Sequence, residues 1–240
     1  MYTFIKNFGH HIFGKTVGEA WLSLTQSILE HGEKTTDEGR SRLSLQNIRF
    51  KVSNFEIPDI ILDKYADRDN IDSIIYLTFE GEEMFDFDVV PSFSPGARSY
   101  HRRIKEGRMA EYVVKRLTKI PESKKAVISF IHWDDYKAVL DTPYDDYLPC
   151  MVIVQFRIVE TKGELSMSCN FFARSMDAFQ KGNGNIFVLS MLTQRIAKQI
   201  SQNIGKEIRV GVIDGFITDA HIYSECLADA RKLITQFQEK

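Results

Sequence analysis

Cys150 follows the stretch Asp145-Asp146-Tyr147-Leu148-Pro149 and opens an apolar run, which places a thiol at a loop-to-strand junction, where reactive groups often lie. A nucleophilic thiolate needs a cation or donor nearby, and the adjacent residues are acidic, so the cation must come from elsewhere in the fold. Without one, a free cysteine is a small buried hydrophobe. Two segments suit an anion such as phosphate: Lys124-Lys125 before one apolar run and Arg174-Ser175 after another. A guanidinium, a hydroxyl and ammonium groups supply the strong charge-assisted bonds that phosphate needs, although solvated surface charge is the plainer account of either segment. In Lys181-Gly182-Asn183-Gly184-Asn185 the glycines allow close approach to a ligand, and an amide beside a helix start can read a polar heterocycle. The same residues also suit a turn that caps a helix. His221 and Tyr223, two apart, share one face if extended, as ligand groups or as structural hydrogen-bond partners. The six histidines show no metal-ligand spacing, and the three cysteines (150, 169 and 226) fit neither a zinc motif nor a disulfide framework.

These residues need elements to hold them. Val17, Ala20, Trp21, Leu24, Ile28 and Leu29 recur at helical steps between Thr16 and Glu30, with Gly32 placed to end the helix. A polar loop over Lys34–Arg42 leads to a half-buried strand over Leu43–Val52, and the segment from Asn54 to Pro95 gives only short elements and loops. Met109, Tyr112, Val113 and Leu117 define a helix over Arg108–Lys119, stopped by Pro121. Strands are expected at Ala126–Trp133, Met151–Val159 and Leu165–Ala173, the last two joined by a glycine-containing hairpin turn. Phe187–Ile204, with few charges, reads as a largely buried helix; a strand at Ile208–Ile217 and a helix from about Ser224 to Gln238 follow.

Composition narrows the class. In 240 residues, 31 lysines and arginines face 33 acids, so the net charge of −2 gives no general attraction to nucleic acid. No run reaches the roughly 18 apolar residues of a membrane span, and the start lacks the apolar segment of a secretory signal. A reduced, cytoplasmic protein is the expectation. With 43% hydrophobic residues and no linker or repeat, residues 1–240 read as one domain of the α/β or α+β class, with an irregular segment over about 54–95.

Taken in order, Leu148-Pro149-Cys150, Gln155-Phe156, Arg174-Ser175-Met176-Asp177-Ala178-Phe179, Asn185-Ile186 and Asp219-Ala220-His221-Ile222-Tyr223-Ser224 resemble the thymidylate synthase superfamily, which includes pyrimidine hydroxymethylases. Upstream, Pro121-Glu122-Ser123-Lys124-Lys125 is similar to its proline–x–serine–arginine–arginine segment. The resemblance implies a mixed sheet flanked by helices, with two sheets packed back to back in a homodimer. It implies Cys150 as the nucleophile adding to carbon 6 of a pyrimidine nucleoside monophosphate, dUMP by default, with methylenetetrahydrofolate as one-carbon donor. It further implies Arg174 and Ser175 as phosphate ligands, joined by Lys124 and Lys125 from the other subunit, and Arg174 also as the cation near the sulfur. Asn185 would bind the base, His221 and Tyr223 the sugar hydroxyl, and Asp177 would lie on the folate side.

Three departures stand out. Met151 replaces the histidine usual after the nucleophile, and lysines replace the arginine pair, which loses bidentate geometry. Matching Ser73-Ile74-Ile75 to the family places Leu77 where a catalytic glutamate is expected, with Glu80, Glu82 and Glu83 nearby. The alternatives are a hydroxymethylase of a specialised pathway or an inactive nucleotide-binding paralogue.

Overall fold

A computed structural model describes residues 2–5, 9–54, 58–89, 96–141 and 147–239. Asp145 and Asp146, and parts of the segment from Asn54 to Pro95, lie outside the described residues. Helix α1 (Val17–His31) starts at Thr16, whose hydroxyl accepts the Glu19 N–H and so satisfies one of the unpaired donors of the first turn. Its Ala20, Trp21, Leu24 and Ile28 are buried against the sheet.

That sheet has nine strands among the described residues, in the order β1-β2-β4-β9-β7-β6-β5. They are β1 (Tyr2–Ile5), β2 (Gly9–Gly14), β3 (Glu33–Asp37), β4 (Arg40–Val52), β5 (Val127–Ser129), β6 (Met151–Thr161), β7 (Glu164–Ala173), β8 (Met176–Asp177) and β9 (Ile208–Tyr223); β3 pairs with β4 and β8 with β9. The sheet is mixed. β9 runs antiparallel to β4 and parallel to β7, and the helix α7 (Gly182–Ile204) makes the crossover that a parallel pair requires. Hairpin turns close at Glu38-Gly39 and Lys162-Gly163, where all four residues have positive φ, the geometry that matches strand twist.

Alternation assigns the faces. Phe50, Val154, Phe156, Met167, Cys169, Phe171, Ile213 and Ile217 are buried in the core, where α1, α5 (Met109–Lys119) and α7 pack on the strands. Their neighbours Phe13, Ile153, Phe172 and Phe216 are exposed, with Phe172 and Phe216 stacked at 6.1 Å between ring centroids. One sheet face is thus covered by helices, and the other presents aromatic residues to solvent.

The elements differ from the sequence expectation in several places, among them β1, β2 and β8, which the sequence reading does not assign. Lys34–Arg42 is the β3–β4 hairpin, because Glu38-Gly39 can take the two positive φ values of a tight turn. The strand from Ala126 stops at Ser129, and the helix α6 (Trp133–Asp141) begins at Trp133; Asp135 accepts the His132 N–H and fixes that start. α7 begins at Gly182, so the Gly-Asn-Gly-Asn stretch forms its first turn. β9 extends to Tyr223. The segment left unassigned holds α2 (Ile60–Tyr65) and α3 (Arg68–Phe79), each capped by an aspartate, Asp59 and Asp67; α4 (Tyr100–Glu106) starts at Ser99, and the final helix is α8 (Leu227–Gln238).

Candidate active site

Cys150 lies half-buried immediately before β6. Its carbonyl accepts the Arg174 N–H at 3.0 Å, which joins the end of β7 to the loop that carries Cys150. The Arg174 guanidinium is turned to the same loop: Nε donates to the Pro149 carbonyl at 3.2 Å and Nη2 to that of Leu148. Arg174 therefore braces the two residues before the thiol. Ser175 follows it, half-buried. Burial pushes the thiols of Cys169 and Cys226 up to about 12, whereas Cys150 is the one of the three that is not fully buried.

A small cavity of about 50 Å³ opens beside Cys150, room for a few waters. Lys181 and Asn185, one helical turn apart at the start of α7, line it, as do Tyr100 and Tyr147. The opposite wall is Ile74, Leu77 and Thr78 of α3, with Met84 and Phe87. The close approach of α3 to α7 requires Gly184, since a Cβ there would lie 2.5 Å from Ile74 Cδ1. Leu77, which stands where the resemblance expects glutamate, is therefore an apolar cavity residue. Glu80 caps the end of α3, Glu82 pairs with Lys105 on the exterior, and Glu83 bridges to Arg98; none of the three lines this cavity.

Tyr100, Arg103 and Asp88 have no signal in the sequence pattern. Tyr100 accepts the Met151 N–H at 3.1 Å, and burial together with nearby Cys150 pushes its hydroxyl above the ordinary phenol range. Arg103, 2% exposed, donates to both oxygens of Asp135 at 2.7 and 2.9 Å and to the Phe130 carbonyl, and its guanidinium lies 5.8 Å from the Tyr147 ring. Asp88 and Lys181 form a charge pair at 2.5 Å with the Asp88 side chain only 1% exposed. Burial pushes the Asp88 carboxyl up despite the pull of Lys181, whereas Asp88 holds Lys181 above the usual lysine value against the opposing effect of burial. A search for charge pairs across distant segments would be needed to find them, because local periodicity carries no such information.

β9 brings His221 and Tyr223 to the same side, their ring centroids 4.9 Å apart. β8 pairs Asp177 with His221, and Tyr223 lies within electrostatic reach of Asp177 and Cys150; burial first, then these groups, push its hydroxyl up to about 12. Arg42 Nη1 approaches His221 Nδ1 at 3.1 Å. A guanidinium only donates, so this contact has Nδ1 accept and the ring proton on Nε2, while Asp219 Oδ1, 3.5 Å from the same Nδ1, pulls toward the opposite tautomer. His221 Nε2 is buried without a hydrogen-bond partner among the described residues, an atom that a ligand hydroxyl would satisfy. Asp177 is already engaged: its two oxygens accept the backbone and side-chain N–H groups of Gln180 at 3.1 and 2.7 Å.

Lys124 and Lys125 lie apart from this cluster. Their carbonyls accept from Gln155 and Tyr112, and they precede the edge strand β5. Gln155 is five residues along β6 from Cys150, about 16 Å at the rise of an extended strand.

The thymidylate synthase family profile matches residues 91–240, which include Cys150, Arg174, Asn185, His221 and Tyr223. The chain belongs to the thymidylate synthase family. It is also 24% identical over 216 residues to a Methanosarcina mazei protein named "Putative thymidylate synthase", covering 90% of each chain. A Methanococcoides burtonii protein of the same name is 23% identical over 231 residues, covering 96% of this chain and 97% of the relative. At this identity, thymidylate synthase membership supports a one-carbon transferase of a divergent kind. The Leu77 wall and the Lys181–Asp88 pair are features of this chain described by its own geometry.

Proposed function

We propose that the protein transfers a one-carbon unit from methylenetetrahydrofolate to carbon 5 of a pyrimidine nucleoside monophosphate, with dUMP as first candidate and Cys150 as nucleophile. The observation that carries this is the single cavity shared by Cys150 and Asn185 in a chain of this family. The thiolate adds to carbon 6, the 5,6 double bond is lost, and negative charge spreads over carbon 5 and oxygen 4. Asn185 donates to oxygen 4 and accepts from nitrogen 3, a pattern that suits uracil. His221 Nε2–H and Tyr223 hold the sugar, and Arg174 with Ser175 takes the phosphate. For folate the fit is partial: the apolar side chains of Leu77, Met84 and Phe87 suit a flat ring, but both Asp177 oxygens are occupied by Gln180.

We read residues 1–240 as one domain that works as a homodimer. The exposed Phe172–Phe216 stack and Ile153 form a face that a second copy would cover, and Lys124 and Lys125 would then serve the partner's phosphate. No helix among the described residues is long and apolar enough to cross a membrane.

Tritium release from carbon-5-tritiated dUMP and dCMP, with methylenetetrahydrofolate and with Cys150→Ala as control, tests this reading. Release that needs both folate and Cys150 supports it and names the base; product masses then separate methyl from hydroxymethyl. No release despite nucleotide binding rejects it for these substrates. The apolar wall of Ile74 and Leu77, which offers no carboxylate to move protons, favours a second reading: a nucleotide-binding member with little turnover.

A further inference from the structure

Lys181 and Asp88 form a buried charge pair beside Cys150 for which the resemblance provides no task. Such a pair contributes little to stability, because desolvating both ions offsets their attraction. Its placement suits electrostatics within the cavity instead. Lys181 and Asn185 stand one turn apart, and the Asn185 N–H donates to the Lys181 carbonyl at 2.8 Å, so ammonium and amide present themselves together. They do so at the N-terminus of a 23-residue helix, whose partial positive charge adds to that of the ammonium. The facing wall is apolar and screens this field weakly. The other candidate cation, Arg174, directs its guanidinium to the Leu148 and Pro149 carbonyls. Asp88 Oδ2 lies 2.5 Å from the Lys181 ammonium, and no other side-chain partner of Asp88 is seen among the described residues, so the carboxylate is free to hold the ammonium.

We propose that Lys181, held in place by Asp88, is the cation of the Cys150 chemistry, stabilising first the thiolate and then the enolate oxygen that forms as sulfur adds to carbon 6 of the pyrimidine. This rests on the function proposed above for its second half only. The thiol proton leaves to solvent, the S–C6 bond forms, and the π pair of the 5,6 bond moves to the conjugated carbonyl as oxygen 4 gains charge beside the ammonium. Expulsion of sulfur reverses each change. Lys181 lines the same cavity as Cys150 and in this role acts on the reacting atoms, so it is assigned as the catalytic residue; Asp88 acts through it and is a positioning residue.

The first measurement is the alkylation rate of Cys150 by iodoacetamide at pH 7, followed by peptide mass, in wild type, Lys181→Met and Lys181→Arg, with folding checked by circular dichroism. The expected result is at least a fivefold slower reaction in Lys181→Met, recovery in Lys181→Arg, and a smaller difference at high salt. Equal rates in wild type and Lys181→Met overturn the proposal, whatever the protein does to a nucleotide. The second measurement is tritium release in Asp88→Asn. Alkylation and turnover that both fall in Asp88→Asn support the positioning role; an alkylation rate at or above wild type overturns it. Wild-type protein that releases no tritium but shows the Lys181-dependent alkylation rejects the one-carbon reading and supports the cation at Cys150.

Discussion

At the residue scale, the Arg103–Asp135 pair ties α4 to the start of α6 beside Tyr147 of the Cys150 loop, with the Phe130 carbonyl as a third contact. Removing one partner leaves a buried charge, so Arg103→Met or Asp135→Asn is expected to cost about 3–5 kcal/mol in urea unfolding. Burial alone would raise the Asp135 carboxyl, but Arg103, the His132 N–H and Arg98 hold it below the usual carboxylate range. Because its folded value lies below its unfolded one, this stabilisation is present above about pH 4 and disappears as pH falls through the folded value. Melting temperatures between pH 6 and pH 2 should therefore drop further in wild type than in Asp135→Asn; parallel curves would contradict the assignment. The Arg42 contact makes a separate forecast: nitrogen NMR of His221 shows the proton on Nε2, and Arg42→Met releases Nδ1 to share it with Asp219, 3.5 Å away. A proton on Nδ1 in wild type would refute it.

At the element scale, the start of α7 and the middle of α3 approach so closely that one methyl group decides their spacing. Gly184→Ala places a carbon 2.5 Å from Ile74 Cδ1, and overpacking of this kind costs about 1–3 kcal/mol. Ile74→Val removes that Cδ1, so the double variant should regain part of the loss in chemical denaturation; additive losses would rule out the contact as the cause. The same packing explains what the sequence could and could not disclose. α1 was legible because Thr16 and the three- and four-residue steps from Val17 to Ile28 carry local information. The first turn of α7 was not, because Gly182, Asn183 and Gly184 have poor helix propensity and are held by tertiary contact. Trp133, 83% exposed, continues an apolar run in sequence yet opens a helix, since the side chain of Asp135 fixes the backbone there. In the site, Cys150, Asn185, His221 and Tyr223 were readable by type and order. Asp88, Tyr100 and Arg103 were not, because their partners lie in other elements and only the completed fold joins them.

At the scale of the molecule, the bare sheet face and the covered one imply different concentrations of interest. If two copies cover the Phe172–Phe216 face, Phe216→Asp should shift sedimentation from dimer to monomer and abolish tritium release together. Mixing Cys150→Ala with a Lys124→Ala, Lys125→Ala double variant should restore part of the activity, since mixed dimers keep one intact site; no recovery would argue that the lysines serve elsewhere. The position of β9 governs something else, the order in which the molecule comes into being. β4 belongs to the first quarter of the chain and β6 and β7 to its second half, and β9, residues 208–223, is the strand that joins them. During synthesis the two parts of the sheet therefore exist as unconnected edges until β9 has left the ribosome. His221 and Tyr223 arrive with the strand that joins the halves, so their part of the candidate site is missing until β9 is made, and a truncation before Ile208 leaves β4 and β7 with exposed, unpaired edges.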